Sequence, residues 1–337
     1  MTHPVVILGA ASFGGGELLR LLELHDGVRV THAVSRSQSG RNWSAVHPNL
    51  GNRARIERFV DEVDWTRLAE SERIVVFSAL RHGELAAQYP TLETAWQQAG
   101  LAERILLIDL SPDFRLEGSP GGFCYGLSEW MAEDLRGARR IANPGCFATA
   151  LALGLLPLAR NLELEDASAY GFTGSSGAGL TPTERTHHPF RAHNVRPYQP
   201  FQHRHQREVD RMLARHAHPV DWSFIPYSAP WVRGILVTIE ARLTRPVTEA
   251  ALARLYRESY APSPFVLWVE PPPGLLEVVG SNRCLIGGAV EGLRVAVFVV
   301  LDNLVKGMAG QAIQNLNIAC GWPVDRGLDR LAGPYPA

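Results

Sequence analysis

Val5-Val6-Ile7-Leu8-Gly9-Ala10-Ala11-Ser12-Phe13-Gly14-Gly15-Gly16-Glu17-Leu18-Leu19-Arg20-Leu21-Leu22 decides the fold. Residues 5–8 are a short apolar run of the kind that fills a buried parallel strand. Residues 17–22 read as a helix. Strand, glycine-rich turn and helix in this order make a dinucleotide-binding unit, in which a pyrophosphate rests on the free N–H groups of the helix N-terminus. Gly9 and Gly15 stand at the first and third glycine positions of that fingerprint, and Ser12 stands at the middle one. The expected cradle is Gly9, Ala11, Ser12, Phe13, Gly14 and Gly15. A glycine-rich turn also occurs without a ligand, so the motif needs support from the rest of the chain.

The second strand, residues 28–34, ends in Ser35-Arg36-Ser37. An acidic residue there would suit the ribose hydroxyls of NADH. An Arg between two hydroxyls suits a 2′-phosphate, so NADPH/NADP+ is the expected cofactor. Further strands are expected over residues 74–80 and 105–110. Ligands of open parallel sheets lie outside the carboxyl ends of the strands. Ser78, Leu80 and His82 fall there, as do residues 109–115. A helix is expected to run on through Ala87, and residues 118–122 read as a Gly/Pro-rich loop.

Composition bounds the rest. The chain has 337 residues, 46% of them hydrophobic, with a formal net charge of −1. That is room for two domains, with no sign of disorder or of a polyanionic partner. Lys306 is the only lysine among 33 basic residues. The four cysteines (Cys124, Cys146, Cys284 and Cys320) are far apart and form no zinc-type pair, so no metal is expected. No secretory n-region and h-region and no apolar run of about 18 residues is present. A cytoplasmic location with reduced thiols follows as the expectation.

Asn143-Pro144-Gly145-Cys146 closes the first half. Asn-Pro-Gly is turn chemistry, and a long apolar helix starts at Cys146. A thiol at a helix N-terminus feels the macrodipole and the free N–H groups, which favour the thiolate and can hold an oxyanion. A buried, inert Cys is the competing reading.

Beyond Leu162 the pattern changes. Residues 170–179 start as a strand and end in a loop of small residues. Residues 186–205 show no clear periodicity and are rich in His, Arg, Pro and aromatics, and long structureless stretches are usually functional. Strands of a second, mixed sheet are expected over residues 224–226, 235–243, 277–280 and 293–301, with helices over 209–216, 248–260 and 305–319.

These residues carry a family resemblance along nearly the whole chain. The sequence resembles the N-acyl-γ-glutamyl-phosphate reductase family through residues 9–18, 79–83, 109–115, Tyr125 to Leu127 with Glu129, 143–146, 176–179, His203-Arg204-His205 with Glu208, 233–236, 280–282 and 302–311. It departs at Ser12, at Arg81 where Pro is usual, and at Arg207 where Pro is common.

The resemblance implies an α/β fold with a Rossmann NADP(H)-binding domain over residues 1–145 and 304–337. An α+β catalytic and oligomerisation domain of the glyceraldehyde-phosphate-dehydrogenase-like type would occupy residues 146–303. It also implies reduction of an acyl phosphate to an aldehyde. Cys146 is then the nucleophile, and His203, assisted by His205, the acid–base group. The two imidazoles would share a face if their segment is extended. Glu208 is expected to orient an imidazole or to bind a substrate nitrogen. Ser176, Gly177, Asn303 and Gly307 are expected near the nicotinamide. Arg115 is expected to hold the departing phosphate, with Lys306 either joining it or capping local structure. Asn143, Tyr198, Arg191 and Arg196 complete the expected substrate set.

His187-His188-Pro189, Arg191, Arg196, Tyr198 and Pro200, with the tail Gly321-Trp322-Pro323 and Gly327-Leu328-Asp329, are similar to the branch whose substrate is attached to a LysW-like amino-group carrier protein. Asn143-Pro144-Gly145-Cys146 is the more usual form of the branch acting on free N-acetyl-γ-glutamyl phosphate. The favoured expectation is the acidic carrier protein, with Arg185, Arg191 and Arg196 facing it. A homodimer or homotetramer is expected. The alternative outside this class is a non-catalytic NADP(H)-binding redox sensor switched at Cys146.

Overall fold

The computed structural model describes residues 2–54, 57–116 and 121–328. Residues 118–120 of the expected loop, and Asp329 of the tail motif, lie outside the described residues. The chain divides into two compact units, Met1–Pro144 with Met308–Asp329, and Gly145–Gly307.

The first unit holds β1 (His3–Leu8), β2 (Val28–Val34), β3 (Ile74–Ser78), β4 (Ile105–Asp109), β5 (Cys124–Tyr125) and β6 (Arg140–Ala142). They form one parallel sheet in the order β2-β1-β3-β4-β6-β5. β3 and β4 are buried at every residue, which is why they read as unbroken apolar runs. Register aligns Leu8 with Val34 and Ser78, and Ser78 with Asp109. The glycine-rich turn, Ser35, residues 79–83 and residues 111–115 therefore leave the sheet along one edge. The helix after Gly83 runs Glu84–Gln98, well past Ala87, and carries Pro90 inside it. That proline made the segment look shorter than it is.

The second unit holds β7 (Leu164–Thr173), β8 (Arg196–Pro197), β9 (Trp222–Ser228), β10 (Ile235–Leu243), β11 (Val266–Trp268), β12 (Cys284–Glu291) and β13 (Arg294–Leu301). They make one mixed sheet in the order β11-β12-β13-β10-β7-β9-β8. The helix Cys146–Asn161 packs on it so closely that a Cβ on Gly154 would stand 2.6 Å from Ile239 Cδ1. Pro157 lies inside this helix and cannot donate to the carbonyl of Leu153. The Tyr260 hydroxyl donates to that carbonyl instead, at 2.6 Å.

Three expectations change. Residues 277–280 are not a strand, since a 3₁₀ turn covers Leu275–Glu277. The strand is β12, hidden in the sequence by Gly287 and Gly288. A Cβ on Gly287 would stand 2.8 Å from Pro272 Cα, so the crossing proline segment requires glycine there. Residues 186–205 hold short elements: a 3₁₀ turn at Glu184–Thr186, a single helical turn at His188–Arg191 and the edge strand β8. Residues 305–319 divide into a π turn, Val305–Ala309, and the α-helix Gly310–Ala319.

We expect Tyr260→Phe to cost about 1–3 kcal/mol in urea unfolding with an unchanged slope, because a buried carbonyl loses its donor. Stability equal to the parent's would refute this role for the tyrosine.

Candidate active site

The glycine-rich turn is built by close approach. Gly9 has φ 74°, and a Cβ on it would stand 2.7 Å from the Ala79 carbonyl oxygen. A Cβ on Gly15 would stand 2.4 Å from the Ala10 oxygen. Ser12 caps the helix Phe13–Leu22: its hydroxyl accepts from Gly15 N–H at 3.1 Å and donates to Ala79 O at 3.2 Å. No acidic residue lies in the first helical turn. Phe13 is exposed, and Gly14 packs against Met308. At the end of β2, Ser35 is buried while Arg36 and Ser37 are exposed. Anion-accepting helix N–H groups, side-chain-free approach and a free cation together fit a nicotinamide dinucleotide.

The ends of β3 and β4 are tied together. Ser78 is buried, Leu80 half-buried, and the exposed His82 meets the Asp113 carboxylate at 3.2 Å. That carboxylate also accepts from Gly83 N–H and Ala86 N–H, capping the Glu84–Gln98 helix. Asp109 is buried and accepts from the hydroxyl and N–H of Ser111, and burial pushes its carboxyl up to about 6. Arg115 is buried beside it and donates to Leu110 O at 2.8 Å. Asn143 is wholly buried. Its amide donates to Met308 O and accepts from Asn315, so in the structure it braces the turn before Gly145.

Cys146 is the first residue of its helix, with Gly145 as N-cap. His203 and His205 do not lie on an extended segment: His203 caps the helix Arg204–His216, and His205 lies in its first turn. Their rings still meet, with centroids 4.6 Å apart. This helix starts five residues earlier than its apolar pattern indicates, because its buried first turn is polar. His203 Nδ1 accepts from His205 N–H at 3.3 Å, so the neutral His203 ring carries its proton on Nε2. Phe147, Tyr198 and Phe224 surround His203 with centroids 5.8, 5.6 and 5.7 Å away. Burial holds the His203 imidazole down near 4, with a smaller contribution from Arg204.

Glu208 is buried on the same helix. One carboxylate oxygen accepts from Gly145 N–H at 2.9 Å, and the other lies 3.9 Å from His205 Nε2. A Cβ on Gly145 would stand 2.3 Å from that Nε2, so the imidazole lies directly over the residue preceding Cys146. Gly307, in the π turn, presses on the cysteine itself: a Cβ there would stand 2.8 Å from Cys146 Cβ. Burial, and then the neighbouring Cys146, push the Tyr198 phenol above its usual range. Within this unit the fold thus gathers Cys146, Tyr198, His203, His205, Glu208 and Gly307.

The other expected residues are placed differently. Asn303 accepts from Gly234 N–H and donates to Ser176 Oγ, which donates in turn to Val232 O. Gly177 is exposed beside Thr173. Lys306 is wholly buried in the π turn. Arg191 donates to Ser228 Oγ and to the carbonyls of Ala229 and Thr173, and burial lowers its pKa. Arg196 is exposed on edge strand β8.

Two family models match the chain, for the semialdehyde dehydrogenase NAD-binding domain over residues 4–138 and for the semialdehyde dehydrogenase dimerisation domain over residues 146–303. The chain belongs to the semialdehyde dehydrogenase family. It is an oxidoreductase of the aldehyde-forming type that uses a nicotinamide cofactor. It is 38% identical to a protein assigned as the LysW-L-2-aminoadipate/LysW-L-glutamate phosphate reductase of Caldivirga maquilingensis, across 98% of each chain. It is 36% identical to the N-acetyl-gamma-glutamyl-phosphate reductase of Methanocaldococcus jannaschii, across 96% of this chain and 97% of the relative. Aspartate semialdehyde dehydrogenase II from Vibrio cholerae shares the fold, with a TM-score of 0.71 at 17% identity over 94% of this chain and 98% of that one. No helix among the described residues is long and apolar enough to cross a membrane. No group of three or more His, Cys, Asp or Glu among them is arranged to hold a metal ion.

Asp302 and Arg233 stand in stretches that carry the resemblance, but sequence reasoning gave neither of them a role. The buried Asp302 carboxylate accepts from the Arg233 guanidinium and from the N–H groups of Gly280, Leu304 and Val305. It holds together the loops that carry Asn303 and Gly307. A buried acid directly after an apolar strand was the available signal.

Two outcomes are expected. Gly307→Ala should lower turnover by roughly 10²-fold through displacement of Cys146, with a smaller change in melting temperature. Unchanged kinetics would refute the contact. The second concerns His203, whose pKa is lowered on folding from 6.5 to about 4. The unfolded chain binds that proton first, so stability falls as pH drops from 6.5 towards 4. Asp109, raised on folding from 3.8 to about 6, acts with the opposite sign across its own window. His203→Asn keeps a capping acceptor but removes the titration. Denaturant unfolding should show the variant losing less stability than the parent between pH 6.5 and 4. Parallel curves would refute the assignment.

Proposed function

We propose that this chain uses NADPH to reduce an acyl phosphate to its semialdehyde with release of phosphate. The substrate is a γ-glutamyl or α-aminoadipyl phosphate whose amino group is attached to a LysW-like carrier protein, as in arginine- and lysine-type biosynthesis. The observation that carries the chemistry is Cys146 at a helix N-terminus, with His205 Nε2 over Gly145 and the Glu208 carboxylate behind both.

The Cys146 thiolate adds to the acyl carbonyl and phosphate leaves, forming a thioester. The bound nicotinamide nucleotide supplies the hydride. The resulting thiohemiacetal on Cys146 collapses to the aldehyde as its hydroxyl proton passes back to His205 and the sulfur leaves as the thiolate. His205 takes the thiol proton and returns it to the oxygen, because His203 Nδ1 is committed to the helix cap. Glu208 orients His205 and the Gly145 peptide. Tyr198, kept neutral by burial beside Cys146, has a phenol proton to offer a substrate oxygen there. Arg115 receives the phosphate, and Arg36 with Ser35 and Ser37 supports NADPH over NADH.

The carrier reading rests on the relatives and on charge. Between Gly177 and Arg207 the only acid is Glu184, whereas Arg185, Arg196, Arg204 and Arg207 are all exposed. An acidic partner suits that surface. The second reading is the free N-acetylated substrate, favoured by the M. jannaschii relative and by the Asn143-Pro144-Gly145-Cys146 turn. Assembly as a homodimer or homotetramer uses the half-buried side chains Tyr170, Phe172, Leu236 and Phe298 that alternate with the buried ones on β7, β10 and β13.

The test is phosphate-dependent reduction of NADP+ and NAD+ by carrier-bound and free N-acetylated semialdehydes. NADP+ and the carrier-bound substrate should be preferred, and Cys146→Ser should lose at least roughly 10³-fold in turnover. Efficient turnover of the free compound alone sinks the carrier reading. Near-parental turnover by Cys146→Ser sinks the thioester route.

A further inference from the structure

We propose that His47 is a positioning residue for the nicotinamide nucleotide: it fixes the Ala10 carbonyl and thereby aims the Ala11 N–H into the phosphate cradle. The proposal rests on dinucleotide binding at the glycine-rich turn and adds a residue from outside that motif.

His47 ends the short helix Trp43–Val46, in the excursion between β2 and β3. That excursion is tied back to the sheet by the Val34–Val60 bridge and closed on itself by the Asn42–Arg58 bridge, with Trp43 and Phe59 buried. It carries the His47 imidazole, 9% exposed, to the glycine-rich turn, where Nε2 lies 2.9 Å from Ala10 O. A carbonyl only accepts, so Nε2 carries the proton and donates. Burial lowers the imidazole pKa. The ring presses against the helix start: a Cβ on Gly16 would stand 2.7 Å from both Cε1 and Nδ1. Any side chain at residue 16 would therefore push the imidazole away.

The consequence follows from peptide geometry. A trans peptide is planar, and its C=O and N–H point in opposite directions. Fixing Ala10 O towards His47 turns the Ala11 N–H the other way. The preceding peptide is fixed too, through Ala10 N–H donating to Val34 O at 2.9 Å. Ser12 N–H is taken by Gly9 O, and Gly15 N–H by the Ser12 hydroxyl. Ala11 N–H has no acceptor among the described residues, so it is a donor that the turn keeps for a ligand. His47 touches no part of that ligand; it sets the direction of the donor.

The test compares His47→Leu, which has no donor, with His47→Gln, whose amide can reach the same carbonyl. Binding of NADP+, NAD+ and adenosine 2′-monophosphate, which lacks the 5′-phosphates, is measured by calorimetry on the full chain. Binding of either dinucleotide by the parent tests the cofactor reading separately. We expect His47→Leu to weaken the dinucleotide that the parent binds by about tenfold or more and to leave adenosine 2′-monophosphate within about twofold. The nucleotide KM should rise while kcat at saturation and the semialdehyde KM stay within about twofold. His47→Gln should recover most of the loss. Dinucleotide affinity unchanged in His47→Leu, an equal loss in His47→Gln, or a parallel loss for adenosine 2′-monophosphate would each overturn the proposal.

Discussion

The second unit is organised around a buried carboxylate that reaches from one helix to the start of another. Glu208 accepts from the N–H in front of the cysteine helix and lies close to His205 Nε2. A buried carboxylate is costly unless it is hydrogen-bonded or paired, so its contacts with Gly145 and His205 constrain where both helices can stand. The constraint works only because residue 145 is glycine. Any Cβ there would occupy the place of the imidazole. The same logic recurs nearby. A Cβ on Gly171 would stand 2.4 Å from Phe147 Cε1, and Gly307 gives way to Cys146 itself. Glycines at these three positions let rigid elements approach the cysteine from several directions.

Asp302 plays a complementary part from the end of β13. Its carboxylate gathers Arg233 and three backbone N–H groups, and the next residue, Asn303, holds Ser176 and Gly234. Loops that look independent in sequence therefore form one braced assembly. Residues expected to touch ligand directly, Asn303 and Ser176 among them, have amide and hydroxyl groups engaged with their own chain. Their effect on a ligand would pass through the shape of the loop, which is how a site on loops becomes rigid enough for chemistry.

Much of the first unit was legible in sequence because its signals are local. An apolar run, a glycine-rich turn and a helix specify one another within about twenty residues, and β2 has the limits that its pattern indicates, as does β10 in the second unit. What escaped reading was set by distant neighbours. β12 is interrupted by two glycines, of which Gly287 is demanded by a proline segment and Gly288 by Ala296 O and Trp268, and the first turn of the Arg204–His216 helix buries polar groups that carry no apolar period. The gathering of Cys146 with His205 was implied by family resemblance. Its geometry was not, since an i, i+2 pair suggests a strand and here bridges a helix cap and its first turn.

Ser12 shows why the imperfect fingerprint still builds a dinucleotide turn. The middle position of the motif needs a residue that does not obstruct the phosphates. Here the serine side chain turns inward, taking Gly15 N–H and reaching Ala79 O, the same carbonyl against which Gly9 packs. An N-cap of this kind contributes about 1 kcal/mol to the helix it starts. The hydroxyl withdraws one N–H from the set a phosphate could use and gives a stiffer turn in exchange. With Gly15 N–H capped and Ala10 O held by His47, the donors left at this helix start belong to Ala11, Phe13 and Gly14. The departure at Ser12 and the histidine far outside the motif are thus two parts of one arrangement, a turn whose direction is set by side chains from both sides.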